Sequence, residues 1–467
     1  MKIAFHGAAR TVTGSKHVIT LKNGKKILLD CGMFQGMGHD TDTLNRDFGF
    51  DPQSITYMIL SHAHIDHSGL IPRLVKMGYS GDIYCTAATR DMTEILLLDS
   101  AEIQEDDVKF TNKKKAKEGL PYVSPLYTIE DAKIAIRSLK PVNFNNWIQI
   151  DPDIQLLFTD AGHIVGAACV HLRITENGKT EQITFSGDVG RYNDDILKSP
   201  ATFPQADYIL MESTYGSTLH ADAAPADNEL LRYIAETCLK KRGKLIIPAF
   251  SVGRTQELLY ALNKAQLNGT LPPVDIFVDS PLSTEATAVT KAHPEVFNKE
   301  VSALLKKDKD PFDFPGLQYV KTVDQSKLLN FRKEPCVIIS ASGMAEAGRV
   351  KHHIANNIDD DRNTILIVGY CEPESLGGRL MRGAQEVSIY GTRYKVNAEV
   401  GVIRSMSAHG DYEDLSQWLS CQDPKEVKKL FLVHGEYEVQ KIFKKWLFKK
   451  GFLDIEIPER HFEIGLS

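Results

Sequence analysis

Ser61-His62-Ala63-His64-Ile65-Asp66-His67 is the stretch on which the reading of this chain turns. Three imidazoles and a carboxylate fall at positions 62–67, directly behind the apolar run 55–60. A short apolar run of this kind reads as a buried strand. The cluster therefore sits at a strand exit, where side chains are held firmly yet face a cleft. Imidazole and carboxylate are zinc-type ligands, so the stretch predicts a metal site.

Upstream, residues 17–30 read as a hairpin around Asn23-Gly24, a favoured two-residue turn. Its second arm delivers Asp30. Downstream, helical spacing is expected over 68–78 and 86–106, followed by the basic run Lys113-Lys114-Lys115-Ala116-Lys117, read as a solvated loop, with an RNA backbone contact as the alternative. Then a pattern repeats: an apolar strand followed by His, Asp or Glu beside or near a glycine. It yields Gly162-His163, Gly187-Asp188 and, after 208–211, Glu212-Ser213-Thr214-Tyr215-Gly216. Such loops belong at one rim of a sheet, aimed at a common centre.

From about 217 strands and helices alternate, which implies a mostly parallel sheet. Near 395 the first texture returns. Strand 398–403 precedes Ser407-Ala408-His409-Gly410-Asp411, and strand 429–433 precedes His434-Gly435-Glu436. The economical topology is one domain interrupted by another: 1–215, an insertion over 216–395, and a closing part over 396–467.

His62, His64, Asp66, His67, His163, Asp188 and His434 together offer too many donors for one tetrahedral ion. They suit two ions sharing a bridging carboxylate, an arrangement fitted to hydrolytic displacement at phosphorus. Asp30 reads as an orienting partner for a ligand histidine rather than a ligand.

At this point the sequence resembles a family. His62-Ala63-His64-Ile65-Asp66-His67 matches the HxHxDH signature of the metallo-β-lactamase fold, and Asp30, His163 and Asp188 match its first, third and fourth motifs in order. The insertion, with Glu212, His409 and His434, is similar to the β-CASP branch. That branch includes the mRNA 3′-end cleavage endonuclease of the polyadenylation machinery and ribonuclease J. The resemblance implies an α/β fold: a metallo-β-lactamase αββα sandwich with an inserted β-CASP domain. It implies two Zn²⁺ per chain, one on His62, His64 and His163, the other on Asp66, His67 and His434, with Asp188 bridging. Glu212 matches the acidic residue of motif A, His409 the histidine of motif B and His434 that of motif C; Asp66, Glu212 and His409 are the implied catalytic residues. The expected function is hydrolysis of RNA phosphodiester bonds by a di-zinc-activated hydroxide. His409 is the expected general acid, and a carboxylate partner raises an imidazole's pKa and fixes its tautomer. The expected mode is endonucleolytic. A 5′-3′ exoribonuclease and a small-molecule hydrolase on the same fold are the alternatives.

In the insertion, Ser340-Ala341-Ser342-Gly343-Met344 is expected to open a helix, either as a site whose backbone N–H groups hold a phosphate or as an ordinary strand-to-helix turn. Ser342, Gly343, Arg254 and Arg379 are the phosphate candidates. His352 and His353 read as surface positions without a carboxylate partner.

Composition sets outer bounds. The 467 residues are 42% hydrophobic and 25% charged, ordinary for a globular protein. Seven isolated cysteines without a CxxC pair argue against a disulfide framework or a cysteine zinc site. A net charge of −6 leaves room for a local basic groove. With no apolar run long enough for a bilayer and no secretory h-region, a cytoplasmic protein acting on single-stranded RNA, with no membrane partner, is expected. A homodimer stays open.

Overall fold

The computed structural model describes residues 1–220, 226–369, 371–403 and 406–466. The chain divides into two compact units, one formed by Met1–Leu219 and His409–Ser467, the other by His220–Ala408.

The first unit is built on two seven-stranded sheets. One runs in the order Phe462–Gly465, Lys2–Gly7, Lys16–Thr20, Lys26–Leu29, Tyr57–Ile59, Ile83–Cys85, Leu139–Pro141. The other runs Ile455–Glu456, Lys429–Leu432, Tyr208–Met211, Lys179–Phe185, Ala168–Glu176, Ile154–Asp160, Ile148–Asp151. Alternation decides what faces what. Ile3, Phe5, Ile19, Ile27, Leu29 and Ile59 meet Leu156, Phe158, Val170, Leu172, Ile183 and Phe185 in one core between the sheets. The neighbours of opposite parity, Leu28, Met58 and Leu60, turn the other way and pack with Leu74 and Leu97 of the covering helices. Behind the second sheet, helix Tyr412–Leu419 buries Trp418, which stacks on Phe203 at 4.4 Å. This is the αββα sandwich.

The turn after Lys16–Thr20 closes at Gly24, which alone of the Asn23-Gly24 pair is left-handed (φ +86°). A two-residue turn of the I′ type needs positive φ at both, so this hairpin is looser than expected. The helix expected over 86–106 runs instead from Ala87 to Glu118, for 32 residues. The lysine run is thus helical, not a loop.

The second unit holds a six-stranded sheet, Leu317–Tyr319, Asp275–Val278, Cys336–Ser340, Lys244–Pro248, Thr364–Val368, Glu399–Ile403, with every pair parallel. The expected boundary at 395 does not match this. Glu399–Ile403 pairs with Thr364–Val368 as an edge strand here, and the compact unit ends at Ala408. Six of the seven free cysteines are buried. Among the described residues no helix is long and apolar enough to cross a membrane.

Candidate metal centre

Loops at strand exits of the first unit build the centre. Tyr57–Ile59 leads through Leu60 and Ser61 into His62, and the short helix Ile65–Ser68 carries Asp66 and His67. Neighbouring backbone pins that helix. Ser15 N–H donates to the Asp66 carbonyl (2.8 Å), Cys31 N–H to that of His67 (2.7 Å) and Met33 N–H to that of Ile65 (2.9 Å). The approach demands glycine at 32, where a Cβ would stand 1.5 Å from the Asp66 carbonyl oxygen. Lys16, with no exposed surface, donates through Nζ to the carbonyls of Gly14 (3.0 Å) and Gly32 (2.9 Å) and ties these loops together.

From the second sheet come His163, Asp188, Glu212 and His434. His434 N–H donates to the Ala8 carbonyl (2.7 Å). Asp30 and His434 both hold positive φ (+57° and +48°), a conformation rare outside glycine that concentrates at functional sites.

The predicted ligands gather in two groups, His62, His64, His163 and Asp188, and Asp66, His67 and His434, the ligand atoms of each within 4.8 Å of one another. In the first, His64 Nδ1 lies 3.2 Å from both His62 Nε2 and His163 Nε2. In the second, His434 Nε2 lies 3.1 Å from His67 Nε2 and 3.3 Å from Asp66 Oδ2. Tetrahedral nitrogen ligands about 2.0–2.1 Å from zinc stand about 3.3–3.4 Å apart, so the spacing fits that ion. Asp188 spans the two groups. Its Oδ2 faces His62 Nε2 (3.5 Å) and His163 Nε2 (3.6 Å), and its Oδ1 faces His67 Nε2 (3.3 Å) and His434 Nδ1 (3.5 Å). Oδ1 is buried without a hydrogen-bond partner, as expected of a carboxylate oxygen shaped for a cation.

The electrostatics agree with a cation site. Burial keeps His62 neutral well below the usual imidazole range and brings His64 down to about 4, leaving lone pairs available. Burial works against the Asp188 charge, but His434, His67 and His62 outweigh it and hold the carboxyl well below the usual range. Burial likewise opposes charge on His67, yet Asp188, Asp66 and Asp30 hold its proton well above the usual value. Asp30 Oδ2 lies 2.6 Å from His67 Nδ1, and the carboxylate also accepts from Ser61 N–H and Ser61 Oγ, each at 2.8 Å.

His409 stands beside the ligands. Its Nδ1 is 3.1 Å from Glu212 Oε1, its Nε2 4.0 Å from Asp188 Oδ2, and its ring centroid 4.5 Å from that of His163. Burial depresses its pKa, but Glu212 and then Asp188 outweigh this and raise it to about 9. Glu212 has no exposed surface, and its Oε1 also accepts from Val189 N–H (2.6 Å), which fixes it toward the ring. Thr214, not singled out from sequence, places Oγ1 3.1 Å from His434 Nδ1. Its position two residues past Glu212 was the available signal.

The phosphate candidates of the inserted unit do not form a cluster of this kind. Arg254 is buried, with its guanidinium committed to Glu257 and the Met406 carbonyl, so it does not present a free charge. The helix expected at 345 begins at Arg349, leaving Ser342 and Gly343 in the preceding turn, away from a helix N-terminus. Arg379 is half-buried, 4.0 Å from Glu346. His353, expected at the surface, has no exposure and bonds Asp279 Oδ2 at 2.6 Å, a carboxylate supplied from the loop just past strand Asp275–Val278.

The Metallo-beta-lactamase superfamily model matches residues 14–249, the Beta-Casp domain model 255–380, and the Zn-dependent metallo-hydrolase RNA specificity domain model 393–458. A ribonuclease from Thermus thermophilus is 34% identical over 94% of each chain. An RNase J-like protein from Methanocaldococcus jannaschii is 31% identical over 98% of each chain. Transcription termination factor FttA of Methanosarcina mazei is 32% identical over 88% of this chain, which spans 63% of that longer protein. With this centre and these matches, the chain belongs to the metallo-β-lactamase superfamily as a metallo-hydrolase of its β-CASP branch.

Proposed function

We propose that this protein is a zinc-dependent ribonuclease that cuts RNA phosphodiester bonds internally. The observation that carries the proposal is the division of the two Asp188 oxygens between two ligand groups, with the His409–Glu212 pair alongside. The similarity to proteins named ribonuclease and RNase J-like supports the substrate class.

A pair of zinc ions, when bound, supplies Lewis acidity at a phosphoryl group. His62, His64 and His163 would hold one and Asp66, His67 and His434 the other, with Asp188 common to both. Asp30 keeps the His67 Nδ1 proton on its own side and so turns Nε2 toward the ligand group. Glu212 does the same for His409: its carboxylate fixes the Nδ1 proton, and Nε2 is left on the Asp188 side. A pKa raised to about 9 keeps that Nε2 protonated at neutral pH. The ring can therefore donate a proton to the leaving 3′ oxygen as a hydroxide oxygen bonds to phosphorus and the P–O bond breaks, leaving a 3′ hydroxyl and a 5′ phosphate. Asp66 and His409 keep 16% and 20% of their side-chain surface, so the centre opens on their side.

The test is His409→Ala. Cleavage of end-labelled single-stranded RNA is expected to slow by about 10²–10⁴-fold, with metal content near that of the wild type. Unchanged cleavage would remove the general-acid role. A circular RNA tests the internal mode, because an exonuclease leaves it intact. Turnover of thioesters or lactams with RNA untouched would favour the small-molecule alternative.

A further inference from the structure

The 32-residue helix Ala87–Glu118 is two different objects along its length. Its first half is anchored: Ala88, Thr89, Met92, Thr93, Leu96, Leu97 and Ala101 are buried, and Thr89 Oγ1 donates to the carbonyl of Gly166, three residues past His163. Beyond Ala101 no helix residue is buried. The remaining 102–118 projects for about 25 Å at 1.5 Å per residue. Asn112 fastens the returning chain along one side, bonding both N–H and carbonyl of Val123 at 2.9 Å.

The opposite side has a pattern. Phe110 is 76% exposed, and Lys113, Lys114 and Lys117 follow at i+3, i+4 and i+7, the positions that share its face. Residues 108–117 hold five lysines and no acid, on a chain of net charge −6. Lys109 is taken by Asp106 at 2.9 Å, whereas Lys113, Lys114 and Lys117 have no ion-pair partner among the described residues. Asp106 and Asp107 precede Phe110 at i−4 and i−3, so the ring has carboxylates on one side and unpaired ammonium groups on the other. The C-terminal side matches how single strands are held, with cations on successive phosphates and an aromatic face under a base. A protein partner would be recognised by a broader apolar area with few charges at its centre.

We propose that the distal half of this helix is an RNA-binding arm, which engages the substrate strand away from the site of cleavage through Phe110, Lys113, Lys114 and Lys117. This rests on the ribonuclease reading above. Phe110 lies 21 residues beyond Thr89, about 30 Å along the axis, or about nine stacked nucleotides at 3.4 Å each. The arm therefore acts on long RNA and not on short RNA.

The test compares wild type with the variant Lys113→Gln/Lys114→Gln/Lys117→Gln, and separately with Phe110→Ala, all at exposed positions. Binding of fluorescent 6- and 24-nucleotide RNAs is measured by anisotropy with the metal-loaded protein in a His409→Ala background, so that RNA stays whole. Cleavage of both RNAs is followed in the His409 background. For the 24-mer the lysine variant should bind at least tenfold more weakly, with the log K against log salt slope shallower by about 2, near 0.7 per lost phosphate contact. Phe110→Ala should cost about tenfold. The 6-mer should be bound and cut as by wild type. Equal 24-mer affinity within twofold, or an unchanged salt slope, overturns the arm. So does intact RNA binding with a changed mass by light scattering, which would make this face a protein interface. If wild type cuts neither RNA, the ribonuclease reading fails instead, and the binding data still judge the arm.

Discussion

Replacing Asp30 by Asn tests how the centre is held, because the change alters which atoms can accept and leaves the size unchanged. The carboxylate takes three donors in a space with no solvent: Ser61 N–H on Oδ1, and Ser61 Oγ and His67 Nδ1 on Oδ2. An amide offers one acceptor side and one donor side. With its oxygen toward His67, its NH₂ meets the Ser61 N–H, leaving two buried donors opposed at about 1–3 kcal/mol. With the oxygen toward Ser61 N–H, the NH₂ faces His67 Nδ1. The ring then favours the tautomer whose proton is on Nε2, the nitrogen 3.1 Å from His434 and 3.3 Å from Asp188. That tautomer cannot ligate.

Either placement should weaken metal binding in the Asp66, His67, His434 group by about 10–100-fold, the usual cost of losing a hydrogen bond behind a ligand histidine. The group His62, His64, His163 makes no direct bond to Asp30 and should change by less than about threefold. The assay is competition for zinc against a chromogenic chelator, which resolves two affinities. In wild type the weakened group should also show affinity rising with pH through neutrality, because His67 is held protonated until an ion displaces that proton. Two unchanged affinities in Asp30→Asn, or an equal loss in both, would refute the assignment of Asp30 to one group.

Two predictions concern stability. Burial draws Lys16 from 10.5 down to about 8; the folded value lies below the unfolded one, so across this window the unfolded chain binds more protons and stability rises with pH. The gain is about 3 kcal/mol at most, and Lys16→Met should abolish it, while costing about 1–3 kcal/mol below pH 8 for the stranded Gly14 and Gly32 carbonyls; parallel urea-unfolding profiles for the two proteins from pH 7.5 to 10 would contradict this. In the inserted unit, Asp279 has no exposure and pairs with His353, Ser326 and Arg349 at 2.6, 2.5 and 2.7 Å. Asp279→Ala should destabilise that unit by about 1–3 kcal/mol by leaving the buried Ser326 and His353 and the half-buried Arg349 without their hydrogen-bond acceptor. Burial raises the Asp279 pKa, but those partners outweigh it and lower it from 3.8. Its contribution is thus present above about pH 4 and lost as pH falls through the lower folded value. Trp147, Trp418 and Trp446 all lie outside this unit, so hydrogen exchange in 275–279 and 336–340 is the measurement. Unchanged protection there at neutral pH would rule the pairing out as a support.

The residues of the centre were legible for a local reason. His62, His64, Asp66 and His67 crowd one stretch, and His163, Asp188, Glu212 and His434 each follow an apolar strand. A strand exit is written in consecutive residues, so the candidate could be assembled without knowing which strands are neighbours. The readings that changed all depended on what lies alongside. Strand 399–403 has the same apolar pattern whichever sheet receives it, and only its pairing with Thr364–Val368 assigns it to the inserted unit. His353 reads as a surface histidine until the chain brings up Asp279, 74 positions earlier. Arg254 opens a helix as a phosphate-binding arginine would, yet Glu257 and the Met406 carbonyl occupy it. The helix end at 107–118 was hidden differently. It buries no residue, so no apolar period marks it, and only the helix propensity of its lysines and alanine speaks for it. A segment that stays helical with only a half-buried side against the returning chain gains little from packing at home. That is the physical reason to look for its function in what it contacts outside the fold, and the four side chains on its open face say which chemistry that contact requires.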